Sequence, residues 1–138
     1  MNKISSCLEW VAIKVWTKEE QARILCFLKR VRALLPTGQC TFSRSEKNAQ
    51  FDHKYNLKHE EKIKIIKSIE VSDCVDIQPN SNPRYPDTDV FIFHKSADID
   101  VYGETTQVTL YIKEYVIDQN NMEMAIVISF HEEGLYGL

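Results

Sequence analysis

Two histidines, two tyrosines and a lysine sit where strand alternation can gather them on one surface. Residues 107–117 read as a long strand. Within it Thr109, Tyr111, Lys113 and Tyr115 share one face and Val108, Leu110 and Ile112 the other. Residues 124–131 read as a second strand, with Val127, Ser129 and His131 opposite Ile126, Ile128 and Phe130. Residues 90–95 read as a third, with Phe91 and Phe93 opposite Val90, Ile92 and His94, although apolar residues stand on both of its faces. If the apolar sets pack on helices, Tyr111, Lys113, Tyr115, Ser129, His131 and His94 are left on an open face. Imidazoles can move protons near neutral pH. An ammonium group can offset the charge that develops on a phosphate under attack. A tyrosine can donate a hydrogen bond or stack on a base. The plainer alternative is a solvated sheet face, because antiparallel sheets often carry polar residues on their free side.

The elements that must position these residues can be read from capping and periodicity. Thr17-Lys18-Glu19-Glu20 is a capping box. It opens a helix whose apolar stripe is Ile24, Leu28, Val31 and Leu35, and Pro36-Thr37-Gly38 ends it. Residues 8–16 lean to a short strand, with a helix as the alternative, and residues 39–43 can be another short strand. Residues 44–56 are polar, a turn or short helix with Phe51 and Tyr55 as anchors. A second helix is expected over 58–69 with Asn56 as a cap, then a single turn from Ser72-Asp73. Asn80-Ser81-Asn82-Pro83-Arg84-Tyr85-Pro86-Asp87 reads as a rigid loop. Asp118-Gln119-Asn120-Asn121 reads as a hairpin loop. Residues 134–138 read as a short, frayed tail. Helices first and a strand meander after them give an α+β class.

Composition limits the function classes. The chain has 138 residues, 43% hydrophobic and 27% charged, which suits one soluble domain and excludes a collagen-like or disordered chain. No stretch approaches the roughly 18 apolar residues of a membrane-spanning helix. The opening MNKISSCLEW carries no signal-peptide pattern, so a cytoplasmic location with reduced cysteines is expected. Cys7, Cys26, Cys40 and Cys74 lack the close pairing of a zinc site and read as small buried hydrophobes. No metal is expected from His94, His131 and nearby acids. His53 and His59 read as solvated, and Trp10 and Trp16 as packing residues. The net charge of −3 hides an asymmetry. Residues 14–67 hold thirteen Lys/Arg against six acids (+7), and residues 68–138 hold three against thirteen (−10). The basic half can attract phosphate or an acidic partner, or it is simply two lysine-rich solvated helices.

Residues 40–133 resemble the MqsR family of bacterial toxins. Ser43-Arg44-Ser45-Glu46-Lys47-Asn48 is similar to that family's basic RxKN segment. Leu57, Glu60 and the helix ending Lys67-Ser68-Ile69 resemble its LxxEE…ILSL helix. Ser72-Asp73-Cys74-Val75 resembles its xxDYV turn, and residues 80–89 its DxxPxYPxDD loop. Val90-Phe91-Ile92-Phe93-His94-Lys95 is similar to VWVFGK. Leu110-Tyr111-Ile112-Lys113 is similar to VYLK, and residues 126–132 to VVISFHE. Residues 1–38 share only a helix before the basic segment, so they read as an N-terminal extension and first helix ahead of the MqsR-like core.

The resemblance implies a RelE-like fold, a twisted antiparallel sheet packed against N-terminal helices. It implies a metal-independent endoribonuclease that needs no cofactor, cuts single-stranded mRNA by acid/base transesterification, and is silenced by a cognate antitoxin protein. Tyr111 falls on the family's active-site tyrosine, and His131 on the position after SF where the family has a functional lysine or histidine. The sequence departs from the pattern at Cys74-Val75-Asp76, where founding members carry a catalytic lysine, and near Ile92, where they carry a glutamine. His94, Lys113, Lys95 or Arg84 then fill the missing roles, with Arg84 and Lys95 as substrate-positioning cations. The alternative is a weakened or inactive fold that acts as a protein- or RNA-binding regulatory module. An unrelated α+β domain with binding duties is the third reading.

Overall fold

A computed structural model describes residues 15–133. Helix α1 (Lys18–Leu34) begins as its capping box requires. The Glu20 amide donates to the Thr17 hydroxyl at 3.1 Å, and the Thr17 amide donates to the Glu20 carboxylate at 2.9 Å. The helix buries Ile24, Phe27, Leu28, Val31 and Leu34, then tightens into a 3-10 turn (Leu35–Thr37). Gly38, at φ 77°, turns the chain into β1 (Cys40–Phe42). Helices α2 (Glu46–Tyr55) and α3 (His59–Ser68) follow, then β2 (Cys74–Pro79), β3 (Asp89–Val101), β4 (Glu104–Gln119) and β5 (Met122–Glu132). No helix among the described residues is long and apolar enough to cross a membrane.

The class is α+β, but the sheet is mixed. Its order is β1-β5-β4-β3-β2. Strands β2 to β5 pair antiparallel, as the meander suggests, while β1 lies parallel to β5 on one edge. Periodicity cannot show the direction of a three-residue strand. Direction is set by the long crossover through α2, α3 and the rest of the sheet. Strand β2 was not legible because Asp76, Gln78 and Pro79 hide its pattern. Residues 44–56 resolve into a full helix, with Ser45 as its N-cap. Asn56 caps the end of α2 in the left-handed region (φ 51°) instead of opening α3, whose N-cap is Lys58. The hairpin turns are Tyr102-Gly103 and Asn120-Asn121, all at positive φ. Asp118 and Gln119 therefore belong to β4. Val15 and Trp16 are in neither helix nor strand; the rest of the stretch read as a first strand, Cys7, Trp10 and the tail lie outside the described residues.

The helices cover one face of the sheet. Phe27 of α1 stacks on Phe91 with centroids 4.0 Å apart, and Phe51 of α2 meets Phe130 edge-on at 5.9 Å. The indole N–H of Trp16 donates to the Cys74 carbonyl at 3.0 Å, which fits a packing role. Cys40 and Cys74 are buried, but Cys26 is exposed, against the expectation of a buried hydrophobe. Burial, helped by the nearby Glu114, pushes the Cys40 thiol up to about 12, so it is an inert packing group.

Strand alternation holds in β3 and β4 and breaks in β5. Phe91 and Phe93 face the helices, as do Val108, Leu110, Ile112 and Val116. In β5 the helical side is taken by Ala125, Val127 and Phe130, while Ile126 and Ile128 join Val90, Tyr115 and Ile117 on the other face. This corrects the expectation that Ile126, Ile128 and Phe130 share the core face. The cause is a bulge: Lys113 pairs with Ser129 and Glu114 with Val127, leaving Ile128 over. One extra residue shifts the phase of everything on one side of it.

Alternation also forces Glu114 into the core. It is fully buried, opposite Phe91 and Val127, and neither carboxylate oxygen has a hydrogen-bond partner. Burial pushes its carboxyl from 4.5 up to about 8. A folded-state pKa raised in this way leaves stability intact below the unfolded value and removes it as pH climbs toward the folded one. Between pH 4.5 and 8 the unfolded chain loses this proton first, which costs roughly 3 kcal/mol at neutral pH. Replacing Glu114 with Met should therefore raise the melting temperature at pH 8 by about 10 °C and much less at pH 5, as read by thermal denaturation. An equal gain at both pH values would refute the buried-acid account.

Candidate functional site

The face away from the helices holds most of the residues that alternation assigns to it, with His94, Tyr111 and Lys113 half-buried and His131 buried. His94 of β3 pairs across to Tyr111 of β4, and Tyr111 pairs across to His131 of β5. The three side chains form one row perpendicular to the strands. The His94 and Tyr111 ring centroids are 5.9 Å apart, and the Tyr111 and His131 rings stack at 5.5 Å with 24° between planes. The next row is Asp76, Ile92, Lys113 and Ser129 across β2, β3, β4 and β5. A phenol between two imidazoles thus has an ammonium one row away.

The surroundings assign different states to the groups. Burial, followed by the charges of Asp76 and Glu133, pushes the Tyr111 phenol above its ordinary value. Tyr111 therefore stays protonated near neutral pH and can donate but not act as a phenolate base. The Nδ1 of His131 lies 3.0 Å from the Glu132 carbonyl oxygen. A carbonyl only accepts, so Nδ1 is the donor in this contact, which corresponds to the Nδ1–H tautomer of a neutral imidazole. The Nε2 of His94 is 3.9 Å from the Glu133 carboxylate, which offers a counter-charge to an imidazolium. Asp76 and Glu133 carry no motif that would single them out in the sequence. Asp76 lies on the illegible strand β2, and Glu133 lies just past the end of β5.

Two of the substrate-positioning candidates lie elsewhere. Lys95 pairs with Leu110, on the helical side, and its ammonium is 3.3 Å from Asp73. The same alternation that puts His94 on the open face turns Lys95 away from it. Arg84 is exposed in the loop before β3, its guanidinium 5.8 Å from the Tyr85 ring centre. Tyr85 in turn lies 6.0 Å from Tyr115, which places Arg84 toward the far end of the open face. His53 and His59 are exposed on the helices, as expected. Among the described residues no group of three or more His, Cys, Asp or Glu side chains is placed to hold a metal ion.

Helix α2 fixes β5 on both sides of His131. Asn48 is buried and donates through Nδ2 to the Ser43 and Ile128 carbonyls, each at 2.9 Å. Its Oδ1 accepts from the Phe130 amide at 2.9 Å. The Glu132 carboxylate accepts from the Tyr55 hydroxyl at 2.7 Å and from Lys54 at 2.8 Å. Burial acts to raise the Glu132 carboxyl, and the hydrogen bonds from Lys54 and Tyr55 outweigh it, so the group titrates below its usual range. The basic segment before and within α2 therefore contributes through Asn48 to the shape of β5.

No protein-family model matches this chain, and no curated protein or solved structure matches it either.

Asn48→Ala should cost roughly 3 kcal/mol, because it strands a buried amide and carbonyls at the bulge. Denaturant unfolding would measure that loss. The Tyr111–His131 ring-current shifts in an NMR spectrum should also change. A variant with wild-type stability and unchanged shifts would remove Asn48 from this role.

Proposed function

We propose that the protein is an MqsR-like, RelE-type toxin, a metal-independent endoribonuclease that cuts single-stranded mRNA. One observation carries the reading: His94, Tyr111 and His131 form a row on the open face with Lys113 beside it. The outer two strands of the row are separated by roughly 10 Å, a span that a phosphodiester lying over the outer edge of the Tyr111 ring can bridge from one imidazole to the other. His131 Nε2 takes the proton of a ribose 2′-hydroxyl. The 2′-oxygen attacks the adjacent phosphorus, and the bond from phosphorus to the 5′-oxygen breaks. His94, as an imidazolium, gives its proton to that departing oxygen. Lys113 and the Tyr111 hydroxyl offset charge on the non-bridging oxygens. The products are a 2′,3′-cyclic phosphate and a free 5′-hydroxyl. As a cytoplasmic toxin it would be held inactive by a cognate antitoxin protein.

A second reading has its own support. Asp76 and Glu133 lie close enough to act on Tyr111, and carboxylates there oppose a phosphate backbone. The same face would then bind RNA or a protein partner for regulation without cutting.

Purified protein incubated with single-stranded mRNA in EDTA should release fragments with those termini. His131→Ala and His94→Ala should each slow the reaction by at least about 100-fold, and Tyr111→Phe by about tenfold. Expression without a partner should arrest growth, and His131→Ala should relieve the arrest. Absence of cleavage at neutral pH, together with no arrest, would leave the binding reading in place.

A further inference from the structure

The open face has a second half that the chemistry above does not use. Beyond Lys113 and Ser129 it becomes apolar: Val90, Tyr115 and Ile117 are buried there, with Tyr85, Met124, Ile126 and Ile128 packed on them. The cluster opens into a hollow of about 380 Å³, lined by Tyr85, Ile117, Met124 and Ile126 and rimmed by Gln119 and Asn120. We propose that this hollow is a nucleobase-reading subsite for the RNA strand whose scissile linkage lies on the His94–Tyr111–His131 row. The proposal rests on the ribonuclease reading and adds to it how a cleavage site would be chosen.

Position, charge and rim chemistry favour this occupant. The hollow lies on the same sheet face as the catalytic row, with Lys113 and Ser129 between them along β4 and β5. Ile117 is roughly 20 Å along β4 from Tyr111, a span that a few nucleotides of extended strand can cover. Arg84 stands at Tyr85, where it can meet a phosphate. The acids of this end are turned away: Asp118 and Glu123 pair on the helical side, and Glu123 accepts from Arg30 of α1. A purely apolar peptide segment would gain nothing from the rim amides. Gln119 and Asn120 each offer a donor and an acceptor, the groups needed to read the hydrogen-bonding edge of a base lying against Tyr85.

The probe is a set of fluorescein-labelled, 2′-O-methyl single-stranded dodecamers, uncleavable by 2′-oxygen attack, with one position at a time fixed as A, C, G or U. Fluorescence anisotropy with the full chain would read binding. Tyr85→Ala should weaken binding about tenfold, as expected for losing one stacked base. Gln119→Ala, at an exposed strand end where folding is insensitive, should keep the mean affinity and erase base preference at one position. If wild-type protein cuts no RNA but dodecamer affinity depends on Tyr85 and base preference on Gln119, the subsite stands and the chemistry falls. If RNA is cut but neither variant changes affinity or the sequence at the cut, the subsite falls and the chemistry stands. Failure of the wild-type chain to bind any dodecamer overturns the subsite, as does loss of a protein partner by these variants with RNA binding unchanged.

Discussion

The arrangement of the open face depends on one interrupted alternation. Without the bulge at Ile128, unbroken alternation in β5 would turn Ile126 and Ile128 to the same side as Phe130. The bulge lets Val127 and Phe130 both reach the helices and leaves Ile126 and Ile128 outside. The open face is therefore divided into a polar end built around Tyr111 and an apolar end built around Tyr115. An irregular strand leaves backbone groups that the ladder cannot pair, and these must be satisfied from elsewhere. Asn48 does this from α2, bonding on either side of the bulge at Ile128 and Phe130.

The polar row is consequently attached to the core by two kinds of contact. Cross-strand pairing fixes the spacing of His94, Tyr111 and His131 along the sheet. The tethers from α2 fix β5 itself, through Asn48 before His131 and through Lys54 and Tyr55 to Glu132 after it. Side chains on regular strands are held more tightly than side chains on loops, which suits the shared action on one bond proposed for this row. The neighbours then divide the labour between like residues. The Glu132 carbonyl orients one imidazole, while Glu133 stands near the other.

Glu114 shows the cost of the same geometry. Lys113 must face outward to stand beside Tyr111, and the residue after it must then face inward. The register changes at this point, and the inward residue is an acid without a partner. A buried polar group left unpaired is among the more expensive features a core can hold. Its position directly behind the polar row is where local rules of packing and site construction conflict.

Much of the scaffold was legible because its signals are local. The Thr17 capping box, the Ile24–Leu28–Val31 stripe and the alternation of Phe91 with His94 and of Leu110 with Tyr111 depend only on residues close in the chain. Those signals were enough to place Tyr111, Lys113, His94 and His131 on one face. Three features were decided only by tertiary structure. The parallel direction of β1 follows from a crossover that no short pattern records. The bulge at Ile128 follows from competition between Ile126, Val127 and Ile128 for a core with room for only one phase. The neighbours of the row, Asp76 and Glu133, come from strands and turns whose pairing is settled far along the chain. A sequence fixes which faces a strand has; which of them is covered, and where the count slips, is settled when the layers pack.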